Sequence, residues 1–507
     1  METDTHFPML TNSDADRKLR SLVHPPEWVN PTPSGRYHLV VIGAGTAGLV
    51  SAAIAAGLGA RVALVERTLM GGDCLNVGCV PSKALIRAAR SWHEARRSSA
   101  VFGGPAIARD GIGDFTVAME RLRRLRASIA EVDSAQRYRD LGVDVFLGDA
   151  HFTNHSAVEV NGVALEFRRA IIATGARAAA PPIPGLAESG YLTNETVFAI
   201  DTLPSRLIVI GGGPIGCELA QAFARLGSDV TLLQAGPRLL ENDDPDAAAI
   251  VERALVHDGV HVRTSSRIKS VERRREIRRV QLDDGEWLEA DALLVAAGRA
   301  PNVDGMGLES AGVQFGPKGV VVSDRMRTSN PNVYAIGDVA SRFQFTHAAD
   351  AQARLVVPNA LFFGLGGGKS SSLIMSWCTY TSPEVAHVGM SAADAAGRDD
   401  VESVTVTLDH IDRARLEGEE DGFLRVYLRR GSDRILGATL VAERAGDMIG
   451  EVAAAITNKV GLSGLGRTIH PYPTVASIFA RASDQHRRAK LTPTAKRAFS
   501  RYFKIFN

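Results

Sequence analysis

Two cysteines separated by four residues are suited to two-electron redox chemistry. Cys74 and Cys79 lie in the segment 71–79, and a neighbouring dithiol releases two electrons when it closes into a disulfide. On one continuous helix the two residues would be rotated by about 140° and separated by about 7.5 Å along the axis, which is too far for a disulfide. The spacing therefore predicts that Cys74 lies in irregular backbone, which the neighbouring glycines permit.

Cys79 is predicted to lie at the start of a helix. Pro81 suits a first helical turn, and the positive end of the helix dipole favours a thiolate there. Two alternatives to a redox-active cysteine pair are a pair of buried structural cysteines and a zinc site. No second Cys or His pair lies nearby to complete a zinc site, so no resident metal is expected. The surrounding motifs decide between redox-active and structural thiols.

Two segments repeat the plan of strand, glycine-rich turn, helix and strand. The glycines are Gly43, Gly45 and Gly48 in the first segment, and Gly211, Gly213 and Gly216 in the second. Such glycines permit a tight turn and close approach of a pyrophosphate, and the helix N-terminus supplies amide donors for phosphate. Since each turn has a strand before it and a helix after it, the sequence predicts two dinucleotide sites.

The residue that ends the second strand of each segment bears on which nucleotide is bound. Glu66 is placed to hold a ribose hydroxyl, which favours FAD or NAD over a 2′-phosphate. The equivalent residue of the second segment is Gln234, which is neutral. Arg238 is either a partner for a 2′-phosphate or a solvated surface residue. NADH and NADPH both stay open, with NADPH slightly favoured.

The overall composition restricts the class of protein. The net charge of +1 gives no indication of a nucleic-acid partner, and no apolar run has membrane-spanning length. The polar segment 1–36 contains no apolar signal core, and we interpret it as an extension that is mobile or packed on a neighbour. With only four cysteines, these features predict a cytoplasmic location.

These motifs resemble the class I pyridine nucleotide-disulfide oxidoreductases, which include dihydrolipoamide dehydrogenase, glutathione reductase and mercuric reductase. The resemblance extends from about Tyr37 to about Ala489, and three further segments follow in the family's order: Ala173-Thr174-Gly175, Ala335-Ile336-Gly337-Asp338 and Thr381-Ser382-Pro383-Glu384-Val385-Ala386. It implies an α/β protein with two Rossmann-like nucleotide-binding domains and an α+β C-terminal dimerisation domain. It also implies FAD and NAD(P)H as cofactors, and a homodimer whose active site draws on both subunits.

The resemblance divides the chain into six segments. They are the N-terminal extension (1–36), the first part of the FAD-binding domain (37–188), the NAD(P)-binding domain (189–306), the second part of the FAD/central domain (307–375), the dimerisation domain (376–489) and a basic amphipathic tail (490–507). For the tail, docking on the dimer is favoured over contact with an anionic membrane.

The resemblance also implies roles for single residues. Cys79 would be the flavin-proximal sulfur and Cys74 the interchange thiol that meets the acceptor. Lys83 would approach the flavin and pair with Glu218, while the helix that opens near Thr346 would point its N-terminus at the flavin. The cofactor-binding residues would be Gly43, Gly45, Gly48, Glu66, Gly72, Thr174, Gly175, Gly211, Gly213, Gly216, Gln234, Gly298, Gly337 and Asp338.

The C-terminal motif departs from the lipoamide and glutathione reductases. Those relatives carry a histidine before Pro-Thr and a glutamate five residues later, and here Tyr472 and Ser477 take these places. A tyrosine, whose pKa is near 10, is a poor base at neutral pH. His470 is an alternative base, but the sequence shows no carboxylate for it, and a structural role is favoured.

Tyr472 and Asp73 occupy their motifs as the corresponding residues do in mercuric reductases, which the chain resembles here. Two other features of mercuric reductases, a C-terminal cysteine pair and a Cys-rich N-terminal domain, are not seen in this sequence. We therefore predict an enzyme that passes electrons from NAD(P)H through FAD and Cys74–Cys79 to a disulfide or a soft metal ion. The alternatives are dihydrolipoamide dehydrogenase activity, direct reduction of quinones by the flavin, and a redox-sensing docking protein.

Overall fold

The computed structural model describes residues 7–105, 113–362 and 366–506. The chain forms two compact units. Unit 1 comprises Met1–Gly211, Leu219–Ala235 and Ser266–Leu373, and unit 2 comprises Gly212–Glu218, Gly236–Ser265 and Ile374–Asn507. Among the described residues, no helix combines the length and the apolar character needed to cross a bilayer.

The helices and strands are as follows. The helices are α1 (Asp14–Val23), α2 (Thr46–Gly57), α3 (Gly72–Asn76), α4 (Cys79–Phe102), α5 (Phe115–Ile129), α6 (Ala135–Asp140), α7 (Pro214–Leu226), α8 (Pro245–His257), α9 (Thr346–Leu361), α10 (Ala392–Ala395), α11 (Asp412–Glu417), α12 (Ala445–Thr457), α13 (Leu462–Leu465), α14 (Ser477–Ala489) and α15 (Pro493–Ile505). The strands are β1 (Tyr37–Ile42), β2 (Val62–Glu66), β3 (Val143–Leu147), β4 (Ala150–Asn154), β5 (Ala157–Val160), β6 (Val163–Ile172), β7 (Ala176–Ala178), β8 (Arg206–Ile210), β9 (Asp229–Leu233), β10 (His261–Arg263), β11 (Ile268–Arg274), β12 (Ile277–Leu282), β13 (Trp287–Ala290), β14 (Ala292–Val295), β15 (Arg299–Pro301), β16 (Phe315–Gly316), β17 (Gly319–Val320), β18 (Val333–Ala335), β19 (Ser376–Thr379), β20 (Glu384–Gly389), β21 (Val401–Thr407), β22 (Phe423–Arg429) and β23 (Ile435–Ala442).

The largest sheet of unit 1 has the strand order β3-β2-β1-β6-β5-β4, and β18 also pairs with β6. β1 is parallel to both of its neighbours, with Val41 opposite Leu64 and Ile171. Its nearly continuous apolar sequence suits a strand that is buried on both faces, and α2 and α9 contribute Ala52 and Val357 to the core on one side. The turn after β1 therefore lies at the carboxyl edge of a parallel sheet, where ligands of such folds bind.

The second strand–turn–helix–strand segment has the predicted order of elements. β8 lies between β9 and β14, and all three strands are parallel. A separate antiparallel sheet is formed by β11, β12 and β13. The α/β architecture with two parallel nucleotide-binding motifs is thus confirmed, and α7 begins directly after the glycine-rich turn.

Unit 2 contains an antiparallel sheet with the order β19-β20-β23-β22-β21. Side chains of α12 and α14, such as Val452 and Phe479, pack in one core with those of β22 and β23. This arrangement confirms the predicted α+β C-terminal block.

The described part of the N-terminal extension, residues 7–36, packs against the rest of unit 1. Ser13 caps α1, and Leu19 and Val23 are fully buried. The indole N–H of Trp28 donates to the Val145 carbonyl oxygen at 3.1 Å. The sequence left this helix unpredicted because α1 is short and its composition is largely polar.

Candidate active site

Cys74 and Cys79 lie on two consecutive helices, and their side chains are close together. Cys74 is in α3, a single helical turn, and Cys79 is the first residue of α4. Both are thiols in this structure, and Cys79 is a side-chain hydrogen-bond partner of the Cys74 thiol. The prediction of irregular backbone at Cys74 was wrong: the irregular residues are Val77 and Gly78, and the break between two helices there brings the sulfurs together.

The thiol pair faces the N-terminus of α9. Thr346, the first residue of that helix, has its Oγ1 3.5 Å from the Cys79 Sγ. Partnership with Cys79 raises the pKa of Cys74, burial adds to this effect, and Thr346 acts in the opposite direction. The first amides of α4 and α9 thus lie beside the sulfurs, and helix N-termini favour negative charge. The arrangement suits a dithiol in which one sulfur carries the charge and the other keeps a proton.

Buried polar contacts hold the backbone between the two cysteines. The Asn76 side-chain amide donates to the Met70 and Gly72 carbonyl oxygens at 3.1 and 2.9 Å. The Asn76 carbonyl oxygen accepts a hydrogen bond of 2.8 Å from Arg126. Arg126 is completely buried, and its guanidinium lies 2.5 Å from the equally buried Asp16 carboxylate. α1 and α5 therefore fix the position of the thiol segment.

The first glycine-rich turn leaves no room for side chains. Gly43 has φ +100°, and a Cβ there would lie 2.4 Å from the Ala173 carbonyl oxygen. A Cβ on Gly48 would lie 1.8 Å from the Gly43 oxygen, and a Cβ on Gly72 would lie 2.6 Å from the Gly45 Cα. The turn is therefore packed directly against the thiol segment, and its bare backbone beside the start of α2 fits the pyrophosphate of a dinucleotide.

Replacing Gly48 by alanine is expected to lower FAD content at least about tenfold, because the methyl group would displace the turn that receives the pyrophosphate. The measurement is FAD released per subunit from the purified protein. Gly57→Ala is the matched control in the same helix, since no atom lies within 4 Å of a Cβ there. Full FAD content in Gly48→Ala would contradict the assignment of this turn.

Glu66 is placed at the end of β2 as predicted. One carboxylate oxygen accepts the Ala44 N–H at 2.7 Å, and the other accepts the Thr68 N–H at 2.8 Å. A carboxylate can accept about four hydrogen bonds, so the two backbone donors orient Glu66 and leave acceptor capacity for ribose hydroxyls. The residue fits its predicted role at the nucleotide.

The turn at Thr174 and Gly175 is held by Asn302, a residue that the sequence did not indicate. The Thr174 hydroxyl donates to the Asn302 carbonyl oxygen, and the Asn302 side-chain amide donates to the Thr174 carbonyl oxygen, both at 2.8 Å. Gly337 begins a short 3-10 turn, and its N–H donates to the buried Gln352 side chain at 2.8 Å. Both turns are thus rigidly placed in unit 1.

Asp338 belongs to a charged cluster rather than standing alone. The Arg299 guanidinium contacts the Asp73 carboxylate and lies 3.5 Å from the Asp338 carboxylate. Burial raises the pKa of Asp338 to about 6, although Arg299 opposes this shift. Arg299 therefore links Asp73, the residue before Cys74, to Asp338, which is predicted to bind the cofactor.

A second acid with a raised pKa lies near the thiols. Burial raises the pKa of Asp133 to about 6, and the Asp133 charge contributes to the raised pKa of Cys74. Its Oδ2 would be 3.1 Å from a Cβ on Gly71. Asp133 is thus a buried carboxyl group beside the segment that leads into α3.

Asp133 is expected to make the protein less stable as the pH rises from about 4 to about 6. Its folded-state pKa of about 6 exceeds the ordinary value of 3.8, so the folded state binds more protons in this window and loses stability as they leave. Asp133→Asn should therefore raise the melting temperature at pH 8 and leave it nearly unchanged at pH 4. Thermal unfolding of the FAD-loaded protein across this range checks the slope, and parallel curves for both proteins would contradict the prediction.

The second glycine-rich turn resembles the first in its packing. The Gly211 N–H donates to the Leu233 carbonyl oxygen at 2.8 Å, and a Cβ on Gly211 would lie 2.6 Å from the Ala296 oxygen. Gly213 has open space at its Cβ position, and Gly216 lies in the first turn of α7. The turn therefore fits a second nucleotide.

The residues predicted to set nucleotide preference lie after β9. The Gln234 carbonyl oxygen accepts the Ser266 N–H at 3.0 Å, and the Gly298 carbonyl oxygen accepts the Ala179 N–H at the same distance. The Arg238 guanidinium donates to the Leu240 carbonyl oxygen at 2.9 Å and also to that of Glu241. These backbone contacts fix Arg238 locally, so the preference between NADH and NADPH stays a prediction.

A cavity of about 380 Å³ opens beside Cys79 in unit 1. Lys83, Arg87 and Arg121 line it together with apolar side chains of α4 and α5. In unit 2, the buried Glu218 carboxylate accepts the Tyr380 N–H at 2.9 Å. The predicted pairing of Lys83 with Glu218 joins residues of different units and stays a prediction.

The C-terminal motif contains a histidine–carboxylate pair that the sequence analysis missed. His470 Nε2 lies 3.0 Å from the Glu451 carboxylate on α12, so the statement that no carboxylate serves His470 was wrong. Tyr472 is 80% exposed and its hydroxyl donates to Asp412 at 3.2 Å, which raises the Tyr472 pKa. Ser477 opens α14 and donates to the Thr474 carbonyl oxygen at 2.8 Å.

The missed residues differ in the signal that they left in the sequence. Arg126 falls on the apolar stripe of α5 beside Leu122, and a cation in such a stripe indicates a buried partner. Glu451 gave no comparable signal, because the rest of α12, the helix α13 and two loops separate it from His470. Arg299 begins the short strand β15 and Asn302 directly follows it, and only the fold brings them to the site.

Comparison with known proteins agrees with this geometry. The family model described as pyridine nucleotide-disulphide oxidoreductase matches residues 37–353, and that of the family's dimerisation domain matches residues 375–483. The chain is 36% identical to a mercuric reductase of Lysinibacillus sphaericus, over 87% of this chain and 81% of the relative. It is 34% identical to a dihydrolipoyl dehydrogenase of Thermus scotoductus, over 89% and 98% of the two chains.

A solved structure shares the fold over nearly its whole length. The Cu(II) complex of the HOCl-induced flavoprotein disulfide reductase RclA from Escherichia coli superimposes with a TM-score of 0.78 at 28% identity, over 87% of this chain and 98% of that one. The chain therefore belongs to the pyridine nucleotide-disulphide oxidoreductase family, whose members are enzymes that bind FAD and use NAD(P)H.

Proposed function

We propose that this enzyme passes electrons from NAD(P)H through Cys74 and Cys79 to a soft metal ion bound at these sulfurs. The observation that carries the proposal is the dithiol held between the N-termini of α4 and α9. Gly43, Gly48 and Glu66 would hold FAD, which would supply the two-electron transfer between NAD(P)H and the thiol site. Thiolate sulfur is the ligand class that soft metal ions prefer.

The chain's own residues would bind and orient the acceptor. Cys74 and Cys79 supply two sulfur ligands, and the helix N-termini stabilise them as thiolates. Lys83, Arg87 and Arg121 make the adjoining cavity cationic, which favours approach of an anionic metal–thiolate complex. Tyr472 of a second subunit would be an oxygen ligand or proton donor, as implied by the family's shared active site. The likeness to mercuric reductase supports Hg(II) as the first ion to test.

A second candidate acceptor is a disulfide, which the His470–Glu451 pair favours. The Cys74 thiolate would attack one sulfur of the acceptor and release the other as a thiolate, which takes up a proton. Cys79 would then displace the second sulfur and close the Cys74–Cys79 disulfide. Two electrons leave the dithiol and two product thiols form. A histidine oriented by a carboxylate is suited to move those protons.

Rates with Hg(II), Cu(II), lipoamide, glutathione disulfide and a quinone separate these candidates. We expect Tyr472→Phe to lower the Hg(II)-dependent rate about tenfold to a hundredfold, while His470→Gln leaves it unchanged. Rapid lipoamide turnover that falls in His470→Gln would instead assign a disulfide acceptor. Quinone reduction alone, at the same rate without Cys74, would assign direct transfer from the flavin. A failure with every acceptor would favour a redox-sensing docking protein.

The homodimer and the cytoplasmic location belong to the same proposal. The dimerisation domain supports a homodimer, and the sparse cysteines favour a reducing compartment. Sedimentation of the FAD-loaded protein measures the first, and cell fractionation measures the second.

A further inference from the structure

The C-terminal helix α15 has an aromatic face and a cationic face. At about 100° per residue, the aromatic side chains fall within an arc of about 100°, and three cationic side chains fall within about 60° on the opposite side. The aromatic residues are Phe499, Tyr502, Phe503 and Phe506, and the three cationic residues opposite them are Arg497, Arg501 and Lys504. The fourth cation of the helix, Lys496, lies about 20° beyond Phe503, at the edge of the aromatic arc.

The aromatic face is not covered by the described residues of its own subunit. Phe499 and Tyr502 are each 54% exposed, Phe503 is 61% exposed and Phe506 is 70% exposed. The Tyr502 ring lies 4.6 Å from the Phe506 ring and 5.6 Å from the Phe503 ring, so these rings form one continuous patch. α15 itself contains no buried residue. A contiguous apolar patch of this kind indicates an interaction surface.

The charge of the segment selects the kind of surface. No Asp or Glu follows Asp484 in the sequence, and every charged side chain of α15 is Lys or Arg. Three of the four cationic side chains lie opposite the aromatic rings, and the rest of the chain carries a formal charge of −3, because α15 holds four positive charges and the whole protein has a net charge of +1. An apolar aromatic face opposite a Lys/Arg face is the pattern of helices that lie in the plane of a membrane interface.

We propose that α15 binds the surface of an anionic phospholipid bilayer. Phe499, Tyr502, Phe503 and Phe506 would insert between the headgroups, and the flexible stems of the Lys and Arg side chains would let their charges reach lipid phosphates. The helix would lie on the bilayer and not cross it, because none of the described helices is long and apolar enough to span a membrane. This inference concerns where the enzyme acts and is independent of which acceptor it reduces.

Sedimentation with lipid vesicles tests the proposal on the FAD-loaded, full-length protein. We expect binding to vesicles of phosphatidylcholine with phosphatidylglycerol and little binding to phosphatidylcholine alone, and weaker binding as salt is added. Arg497→Gln with Arg501→Gln should weaken binding about 25-fold, since each charge contributes about fivefold. Phe503→Ser should weaken it about tenfold. Phe102→Ser is the matched control, because Phe102 is 65% exposed at the end of α4.

Two results would overturn the proposal. The first is equal binding, or no binding, with both kinds of vesicle. The second is a shift of the monomer–dimer equilibrium by Phe503→Ser without lipid, which would assign the aromatic face to the partner subunit. FAD content and circular dichroism verify that each tail variant is folded.

Discussion

Replacing Cys74 by serine is expected to lower turnover with Hg(II) or a disulfide at least about a thousandfold. Serine is neither a soft-metal ligand nor a thiolate nucleophile, so both candidate reactions lose their first step. The hydroxyl is close to the thiol in size, and α3 should keep its place through the Asn76 and Arg126 contacts. Steady-state rates and FAD content measured together would show loss of turnover in a fully loaded enzyme.

Electron uptake provides an independent readout for Cys74→Ser. In an anaerobic titration with NADPH, the oxidised wild type should take up two electron pairs per subunit, and the variant should take up one, because the dithiol couple has been removed. Cys378→Ser is the matched control, since Cys378 is a half-buried thiol in unit 2. Unchanged uptake and unchanged turnover in Cys74→Ser would refute the role of the pair.

Replacing Arg126 by methionine is expected to destabilise the protein by about 3 kcal/mol, because the buried Asp16 carboxylate would lose its closest cation and keep only Arg123 at 4.0 Å and the hydrogen bonds from Thr11. Both side chains of the pair are completely inaccessible. Arg126 also donates to the carbonyl oxygen of Asn76, so acceptor turnover should fall together with stability. Urea unfolding followed by flavin and tryptophan fluorescence measures the shift in midpoint.

Arg124, two residues before Arg126 in α5, is the control position. Arg124 is 62% exposed and pairs with Glu120 at 3.7 Å, and exposed pairs of this kind contribute about 0 to 1 kcal/mol. Arg124→Met should therefore leave the midpoint almost unchanged. If Arg126→Met with Asp16→Leu recovers much of the loss, the weakened pairing of the buried Asp16 carboxylate is the cause. A loss in Arg126→Met no greater than in Arg124→Met would contradict the prediction.

The chemistry near the thiols was visible in short segments of sequence. The two glycine turns, Glu66 and the pair of cysteines each combine residue type with close spacing, and local backbone geometry then restricts what the segment can do. The position of Cys79 at a helix start followed from Pro81 in the same way. The backbone at Cys74 was predicted wrongly, because spacing excludes one continuous helix but does not distinguish a loop from two helices with a break.

Contacts between distant segments could not be predicted in this way. Arg299 and Asp73 are far apart in sequence yet form an ion pair, and Glu451 reaches His470 only because α12 and the C-terminal loop pack together. Such pairs depend on the tertiary fold, since a single sequence carries no signal for which distant side chains will meet. The packing of α1 against α5 through Asp16 is of the same kind.

The sequence by itself determined that this protein has two dinucleotide-binding turns, a redox-capable cysteine pair and an α+β C-terminal block, because each depends on the conformational limits of a few consecutive residues. The tertiary structure alone decided which groups surround the sulfurs. These are Thr346 at the start of α9, the buried acid Asp133, and Arg126, which donates to the Asn76 carbonyl oxygen between the two cysteines. Burial raises the pKa of Asp133, and the contacts of Arg126 hold the thiol segment in position. Both properties arise only when segments far apart in the chain are packed together.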